Sequence, residues 1–409
     1  MKQTLSDLLS RLYSFHHQEI DLNLERILGL LDKLGNPHKR LPPTLHIAGT
    51  NGKGSTIAFC RSILETAGYS VHTYTSPHLI RFNERIRLNG KLIDDELLYQ
   101  TLKNIITVND SSPITFFEAT TAAAFVLFSK ISADVLLLET GMGGRLDATN
   151  VIESPLVSVI TPISLDHQEF LGSSLSDIAF EKSGIIKQSR PVVISKQRQE
   201  VKEVLKRESF IKKSPCYVYE EDWGLDILAP YPPPSLRGEH QLVNAATALK
   251  ALSLCLPLKP KVISQGLQMT TWPARMQCLA SGPHEIWLDG AHNPGGAEAL
   301  EKEIKTWDLN KPTLGIIAIK EKKDAKTFIK ILGPCFKEMF FISLRKKKME
   351  EKFYDPDILL TVAHKENLEA SKAENIQDAL TKIQKKYPKS RTIITGSLFL
   401  AEEALGLST

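Results

Sequence analysis

Residues Gly49-Thr50-Asn51-Gly52-Lys53-Gly54-Ser55 set three glycines, a lysine and a hydroxyl between an apolar run and a helical pattern. Backbone N–H groups of such a turn, with the N-terminus of the helix that follows, attract phosphate oxygens, and Lys53 would lie against the β- and γ-phosphates of a nucleotide. The strict spacing G-x-x-x-x-G-K-[ST] is not met, because position 47 is Ile47 and Gly54 separates Lys53 from Ser55. A glycine-rich turn carrying a surface lysine is the plainer alternative.

Three more chemistry-bearing residues, Ser76, Glu139 and His167, each follow an apolar run. In a parallel sheet, residues just beyond the strand C-termini share one edge, where ligands of open α/β sheets bind. A hydroxyl and a carboxylate beside a phosphate cradle suit Mg²⁺, whereas an imidazole suits it less and would equally serve as a hydrogen-bonding group. Taken singly, Ser76 reads as a turn residue before Pro77, Glu139 as a strand-end acid and His167 as a loop histidine. Two further loops carry polar groups among glycines: residues 141–150, with Asp147 and Asn150, and Asp289-Gly290-Ala291-His292-Asn293-Pro294-Gly295-Gly296. The second also fits a strand-to-helix turn capped by Asn293.

The elements that must position these groups alternate along the chain. Apolar runs at Thr44–Ala48, Val71–Tyr74, Val135–Leu138 and Leu156–Ile160 predict strands, and Thr56–Ala67, Thr120–Lys130 and Val243–Cys255 predict helices. After a boundary in Trp272–Pro283 the alternation restarts. Strands are expected at Glu285–Leu288, Thr313–Ile319, Met339–Leu344, Leu359–Ala363 and Thr392–Thr395, with helices at Gly295–Trp307, Asp324–Leu332 and Ile376–Tyr387. The fold class expected is α/β: a P-loop-bearing domain with a parallel sheet over residues 1–280, then a smaller Rossmann-like domain over 281–409.

Composition narrows the function. The 409 residues carry 51 Lys plus Arg against 47 Asp plus Glu, a surplus of four that gives no reason to expect a nucleic-acid partner. The basic run Arg345–Lys348 reads as a solvated loop. Five cysteines without a C-x-x-C pair fit a reducing cytoplasm better than a disulfide framework. No apolar stretch approaches the ~18 residues of a membrane span, so no membrane partner is expected.

Together the segments IDLNLERI, HIAGTNGKGS, YTSPHLIRFNERI, TFFEATT, LETGMGGRLDATN, SLDHQEFLG, EKSGIIK, VNAATAL, WPARMQ and LDGAHNPGG resemble folylpolyglutamate synthase and dihydrofolate synthase, of the Mur ligase superfamily. The likeness runs from Ile20 to about Gly296 and continues more weakly to TGSLFLA at Thr395–Ala401. It departs from the family at Asn23, where I-D-L-G is frequent, and at Ser164, where SLDH replaces ALDH.

The resemblance implies an ATP-dependent amide ligase. ATP would phosphorylate an acceptor carboxylate, and the amino group of L-glutamate would displace phosphate from the acyl phosphate. Catalysis would then rest on positioning and charge neutralisation. By the same likeness Thr50, Asn51, Gly52, Lys53, Gly54 and Ser55 form the ATP phosphate loop, joined by Asn244, Arg275 and Asp289. Ser76 and Glu139 match a first Mg²⁺ site, and His167 a second, with Lys182 aligned to a lysine that the family carbamylates. His292 matches a second-domain residue facing the cleft. The acceptor, dihydropteroate or a reduced folate, would lie against Ile20, Asp21, Leu22 and Asn23, against Thr115, Phe116, Phe117 and Glu118, and against Leu146, Asp147 and Ala148. LDATN resembles enzymes that perform both syntheses. A polyglutamylating enzyme alone, a cell-wall Mur ligase and a P-loop regulatory ATPase are the alternatives. A cell-wall ligase carries a whole domain before its P-loop, whereas 48 residues precede Gly49. The expected protein is a cytoplasmic monomer.

Overall fold

The computed structural model describes residues 4–14, 21–344 and 352–407. Ile20 and the basic run at 345–348 lie outside the described residues. The chain divides into two units. The first comprises residues 1–163, 167–235 and 242–270; the second comprises 164–166, 236–241 and 271–409.

The first unit is built on β1 (Thr44–Ala48), β2 (Val71–Tyr74), β3 (Ile86–Leu88), β4 (Lys91–Leu92), β5 (Val135–Glu139), β6 (Val157–Ile160), β7 (Val192–Ile194) and β8 (Cys216–Val218). Their order is β4-β3-β2-β5-β1-β6-β7-β8. From β2 to β8 the pairing is parallel, and β3 and β4 add an antiparallel edge. Strands β1, β2, β5 and β6 are buried at every residue, which is why each reads as an unbroken short run. Helix Phe116–Lys130 owes its burial to Ala122, Ala123 and Ala124, which let it approach neighbours closely, and to Phe125 and Phe128, which fill the adjoining core.

The second unit contains β9 (Gln277–Ala280), β10 (Glu285–Leu288), β11 (Thr313–Ile317), β12 (Glu338–Phe341), β13 (Ala370–Lys372) and β14 (Arg391–Thr395), in the order β13-β12-β11-β14-β10-β9. All neighbours are parallel except β9 against β10. One expectation is overturned. Leu359–Ala363 is not a strand but lies inside helix Pro356–Lys365, where Asp355 caps the Asp357 N–H and Pro356 opens the first turn. Leu359 and Ala363, four residues apart, form its buried stripe. The strand is instead β13, a partly exposed edge segment of sequence ASK with too little apolar character to announce itself. Among the described residues no helix is long and apolar enough to cross a membrane.

Candidate active site

The C-terminal edge of the first sheet gathers the phosphate loop. β1 ends at Ala48, and Gly49 takes a φ of +153°, where a side chain would collide with Thr161 beyond neighbouring β6. Gly52 sits in the left-handed region at +86° and caps helix Lys53–Thr66, with the Asn244 side chain directly against it. Both positions demand glycine, one for close approach and one for backbone sign. The loop is pinned by the N–H groups of Thr50 and Asn51, which donate to Pro162 O at 3.0 and 3.1 Å. Ser55 Oγ, in the first turn of the helix, is buried and has no hydrogen-bond partner among the described residues.

Lys53 Nζ donates to Gly49 O at 3.1 Å and stands 3.9 Å from Glu139 Oε1. The other oxygen of Glu139 accepts the Ser76 N–H at 3.2 Å. Lys182, on helix Leu175–Ser183, is buried and donates from Nζ to the same Gly49 O at 2.9 Å. The structure thus brings Lys53, Ser76, Glu139, Lys182 and Asn244 around one loop. His167 is exposed, with a left-handed φ of 51°, at the start of the short helix Gln168–Leu171.

Among the described residues no group of three or more His, Cys, Asp and Glu converges as a metal cage. The donors at the sheet edge are a carboxylate, the hydroxyl of Ser76 and the unpartnered Ser55 hydroxyl. Such a sparse oxygen set fits Mg²⁺, which keeps waters and takes phosphate oxygens alongside one or two protein groups.

Next along the sheet, the loop 141–150 follows β5. Asp147 is buried, and Oδ1 accepts the N–H and Oγ–H of Thr149 at 3.0 and 2.5 Å while Oδ2 accepts the Met142 N–H at 2.8 Å. Burial raises its pKa, and these bonds oppose the rise. Since Thr149 Oγ gives its proton to Asp147, it accepts from His46 Nε2 at 2.8 Å on β1. Leu146 is half-buried and Ala148 buried. Thr115 caps helix Phe116–Lys130 in a reciprocal box: Glu118 N–H donates to Thr115 Oγ at 3.2 Å, and Thr115 N–H to Glu118 Oε2 at 2.7 Å. Arg26 joins Glu118, at 3.0 Å, to Asp21, at 2.8 Å. Phe116 stacks on Tyr13, and the Phe117 ring lies over Gly141. Leu22 and Asn23 are half-buried, and Asn23 Oδ1 accepts the Glu25 N–H.

In the second unit, Asp289 directly follows β10 and accepts the N–H groups of Met276 and Ala291 at 3.0 and 2.9 Å. His292 Nδ1 donates to Gly290 O at 2.8 Å, which turns Nε2 toward Asp166, 3.9 Å away. Burial, reinforced by the charge of Lys323, pushes the His292 pKa down to about 4. Asp166 also takes Lys323 Nζ at 2.5 Å and Asn293 Nδ2 at 3.0 Å. Arg275 is half-buried and donates to Ala274 O at 2.9 Å.

Asp166, Lys323, Arg26, His46 and Thr149 escaped the sequence reading although they hold candidate residues in place. Asp166 was the most findable, lying beside His167 in the SLDH segment; the partners of the others are far away in sequence.

Comparison with known proteins follows the same division. A model of the Mur ligase middle domain matches residues 47–222, and one of the dihydrofolate synthetase C-terminal domain matches 274–407. A Bacillus subtilis dihydrofolate synthase/folylpolyglutamate synthase is 33% identical over 417 aligned residues, covering 93% of each chain. Escherichia coli FolC, solved in complex with DHPP and ADP, superposes with a TM-score of 0.90 at 28% identity, covering 99% of this chain and 98% of that one. A bifunctional folylpolyglutamate synthase/dihydrofolate synthase solved with Mn, AMPPNP and L-glutamate gives 0.85 at 27% identity, covering 99% and 98%. On this similarity, sustained through both units, the chain belongs to the dihydrofolate synthase/folylpolyglutamate synthase family of the Mur ligase superfamily.

Proposed function

We propose that this protein is an ATP-dependent carbon–nitrogen ligase that joins L-glutamate to dihydropteroate and, in a second activity, to the glutamate tail of reduced folates. The observation that carries the reading is the charge arrangement at the first sheet edge. Lys53 rests on a phosphate-loop carbonyl, 3.9 Å from a strand-end carboxylate that also holds the Ser76 N–H. In the reaction the acceptor carboxylate attacks the γ-phosphorus of ATP and ADP leaves. The glutamate amine then adds to the acyl carbon, loses a proton, and phosphate departs. Lys53 and the loop N–H groups neutralise charge on the phosphates, and Asn244 supports the turn at Gly52.

Ser76, Glu139 and the Ser55 hydroxyl would hold Mg²⁺, which supplies charge neutralisation on the nucleotide. Two ions are proposed, with His167 and a carbamylated Lys182 toward the second. Arg275, Asp289 and His292 are assigned to the reaction from the second unit. Asp21, Leu22, Asn23, Thr115–Glu118 and Leu146–Ala148 are assigned to the acceptor. The enzyme is read as a cytoplasmic monomer, a compartment that suits its free thiols.

The test uses purified protein with ATP, Mg²⁺ and L-glutamate, supplying dihydropteroate and tetrahydrofolate in separate reactions. Phosphate release and a glutamylated product are expected with each. Release that ignores both acceptors and glutamate would identify a plain ATPase, and product from tetrahydrofolate alone would leave polyglutamylation as the sole activity.

A further inference from the structure

Arg85 is a buried cation whose neighbouring carboxylates are all committed elsewhere. It closes the turn Phe82–Arg85 and is 9% exposed. Its Nε–H donates to His78 Nδ1 at 2.9 Å, and the guanidinium carbon lies 5.3 Å from the ring centre of Phe82 and 5.8 Å from that of Phe116. Among the described residues the two terminal amino groups have no hydrogen-bond or ion-pair partner. Glu84, the adjacent acid, instead accepts the N–H groups of Leu79, Ile80 and Arg81 at 2.7, 2.9 and 2.9 Å. Glu139 serves Ser76 and Lys53, and Glu118 serves Arg26 and Thr115.

Burial lowers the pKa of Arg85, opposed by Tyr74, Tyr13, Glu139 and Glu84, yet a guanidinium does not give up its proton in a protein. Holding such a fork mostly buried with no protein anion against it favours an outside anion that can complete it. Its surroundings define that partner. Phe82 and Phe116, packed edge to face 5.8 Å apart with Tyr13 stacked on Phe116, give it an aromatic border, and Phe116 opens the helix assigned to the acceptor. Glu139, within electrostatic reach, belongs to the phosphate edge. An anion suited to this place carries a planar carboxylate on an aromatic body and presents it toward the phosphate loop.

We propose that Arg85 is the receptor for the reacting carboxylate of the acceptor, taking it through the two open amino groups while Phe82 and Phe116 flank the attached ring. This rests on the ligase reading above. Arg85 would thereby select a carboxylate end and hold it for phosphorylation.

Calorimetric titration of the ADP-loaded protein with dihydropteroate and with its carboxamide tests the assignment. The wild type should prefer the carboxylate by about 10- to 100-fold, the worth of a charge-assisted hydrogen-bonded pair. Arg85→Met should bind the two ligands alike at unchanged ADP affinity, and Arg85→Lys should recover part of the preference. A wild type indifferent to the carboxylate, or an Arg85→Met protein that keeps the preference, overturns the proposal. A product assay on the same wild-type sample separates the causes. Ligation with the preference intact in Arg85→Met removes only the role of Arg85; no ligation with any acceptor removes the ligase reading and this proposal with it.

Discussion

Strands β1 and β5 are paired neighbours, and the loops leaving their C-terminal ends treat charge in opposite ways. After β1, two lysines share one carbonyl, that of Gly49, and the Ser55 hydroxyl has no partner among the described residues. After β5, Asp147 is surrounded by donors, and the nearest of these, Thr149, is itself held by His46. A loop that gathers two cations at one carbonyl beside the start of a helix is prepared for an anion. A loop whose charge is saturated internally is prepared to keep its own shape. The two are joined, because His46 lies three residues before Gly49 on the strand that delivers the phosphate loop.

The sharpest way to break this contrast is Lys53→Ala. Removing the cation should lower turnover by about 10³-fold, on the scale of losing one preorganised electrostatic contact to a transferring phosphoryl group. The melting temperature should hardly move, since Lys53 is bonded mainly to a carbonyl. Near-normal turnover in steady-state assays would remove the loop from the reaction.

Glu139→Gln addresses the same edge with a smaller effect. The neutral amide keeps a carbonyl for the Ser76 N–H but surrenders the charge opposite Lys53. The Mg²⁺ concentration for half-maximal rate should rise by about tenfold. An unchanged Mg²⁺ dependence would return Glu139 to a purely structural role.

How much of this contrast the sequence announces depends on the range of the interaction. Thr44–Ala48 and Val71–Tyr74 coincide with β1 and β2 to the residue, because both are short, β-prone segments buried along their whole length, even though His46, His72 and Thr73 interrupt their apolar character. The phosphate loop is equally local, with glycines and lysine contiguous. Leu359–Ala363 shows the limit: an apolar run of that length suits a strand or a helix, and the arbiter was Asp355-Pro356 just before it. Pairings such as Arg26 with Glu118, or Lys323 with Asp166, join residues 92 and 157 positions apart, so nothing in the local pattern distinguishes them from surface charges. Arg85 is the strongest case, since its significance lies in Glu84 turning away to cap a turn.

Thr149→Val tests the saturated loop. The substitution keeps the shape of the side chain but removes the hydroxyl that Asp147 and His46 share. A stability loss of about 1–2 kcal/mol is expected by urea unfolding, from leaving two buried groups under-satisfied. The acceptor KM should rise while the KM for ATP stays constant. Equal changes in both would mean that the phosphate loop and its neighbour move together through β1.

The smallest effect comes from the proton on His46. Burial, with the charge of Lys187 adding to it, holds its pKa down to about 3, against an unfolded value of ~6.5. The folded state therefore keeps this imidazole neutral while the unfolded chain binds a proton as pH falls below 6.5. His46 contributes its full stabilisation above that pH and loses it progressively on acidification toward about 3. The slope it adds is about 1.4 kcal/mol per pH unit, the value for one proton. Other histidines and carboxylates titrate in the same range, so the informative quantity is the difference between wild type and His46→Gln, whose amide can still donate toward Thr149. Unfolding free energy measured between about pH 5 and 6 should fall less steeply in the variant by about that amount. Equal slopes would mean that His46 takes up its proton inside the fold. The donor chain from β1 through Thr149 to Asp147 would then not hold its loop in the neutral form described, and the contrast between the two loops would lose its physical basis.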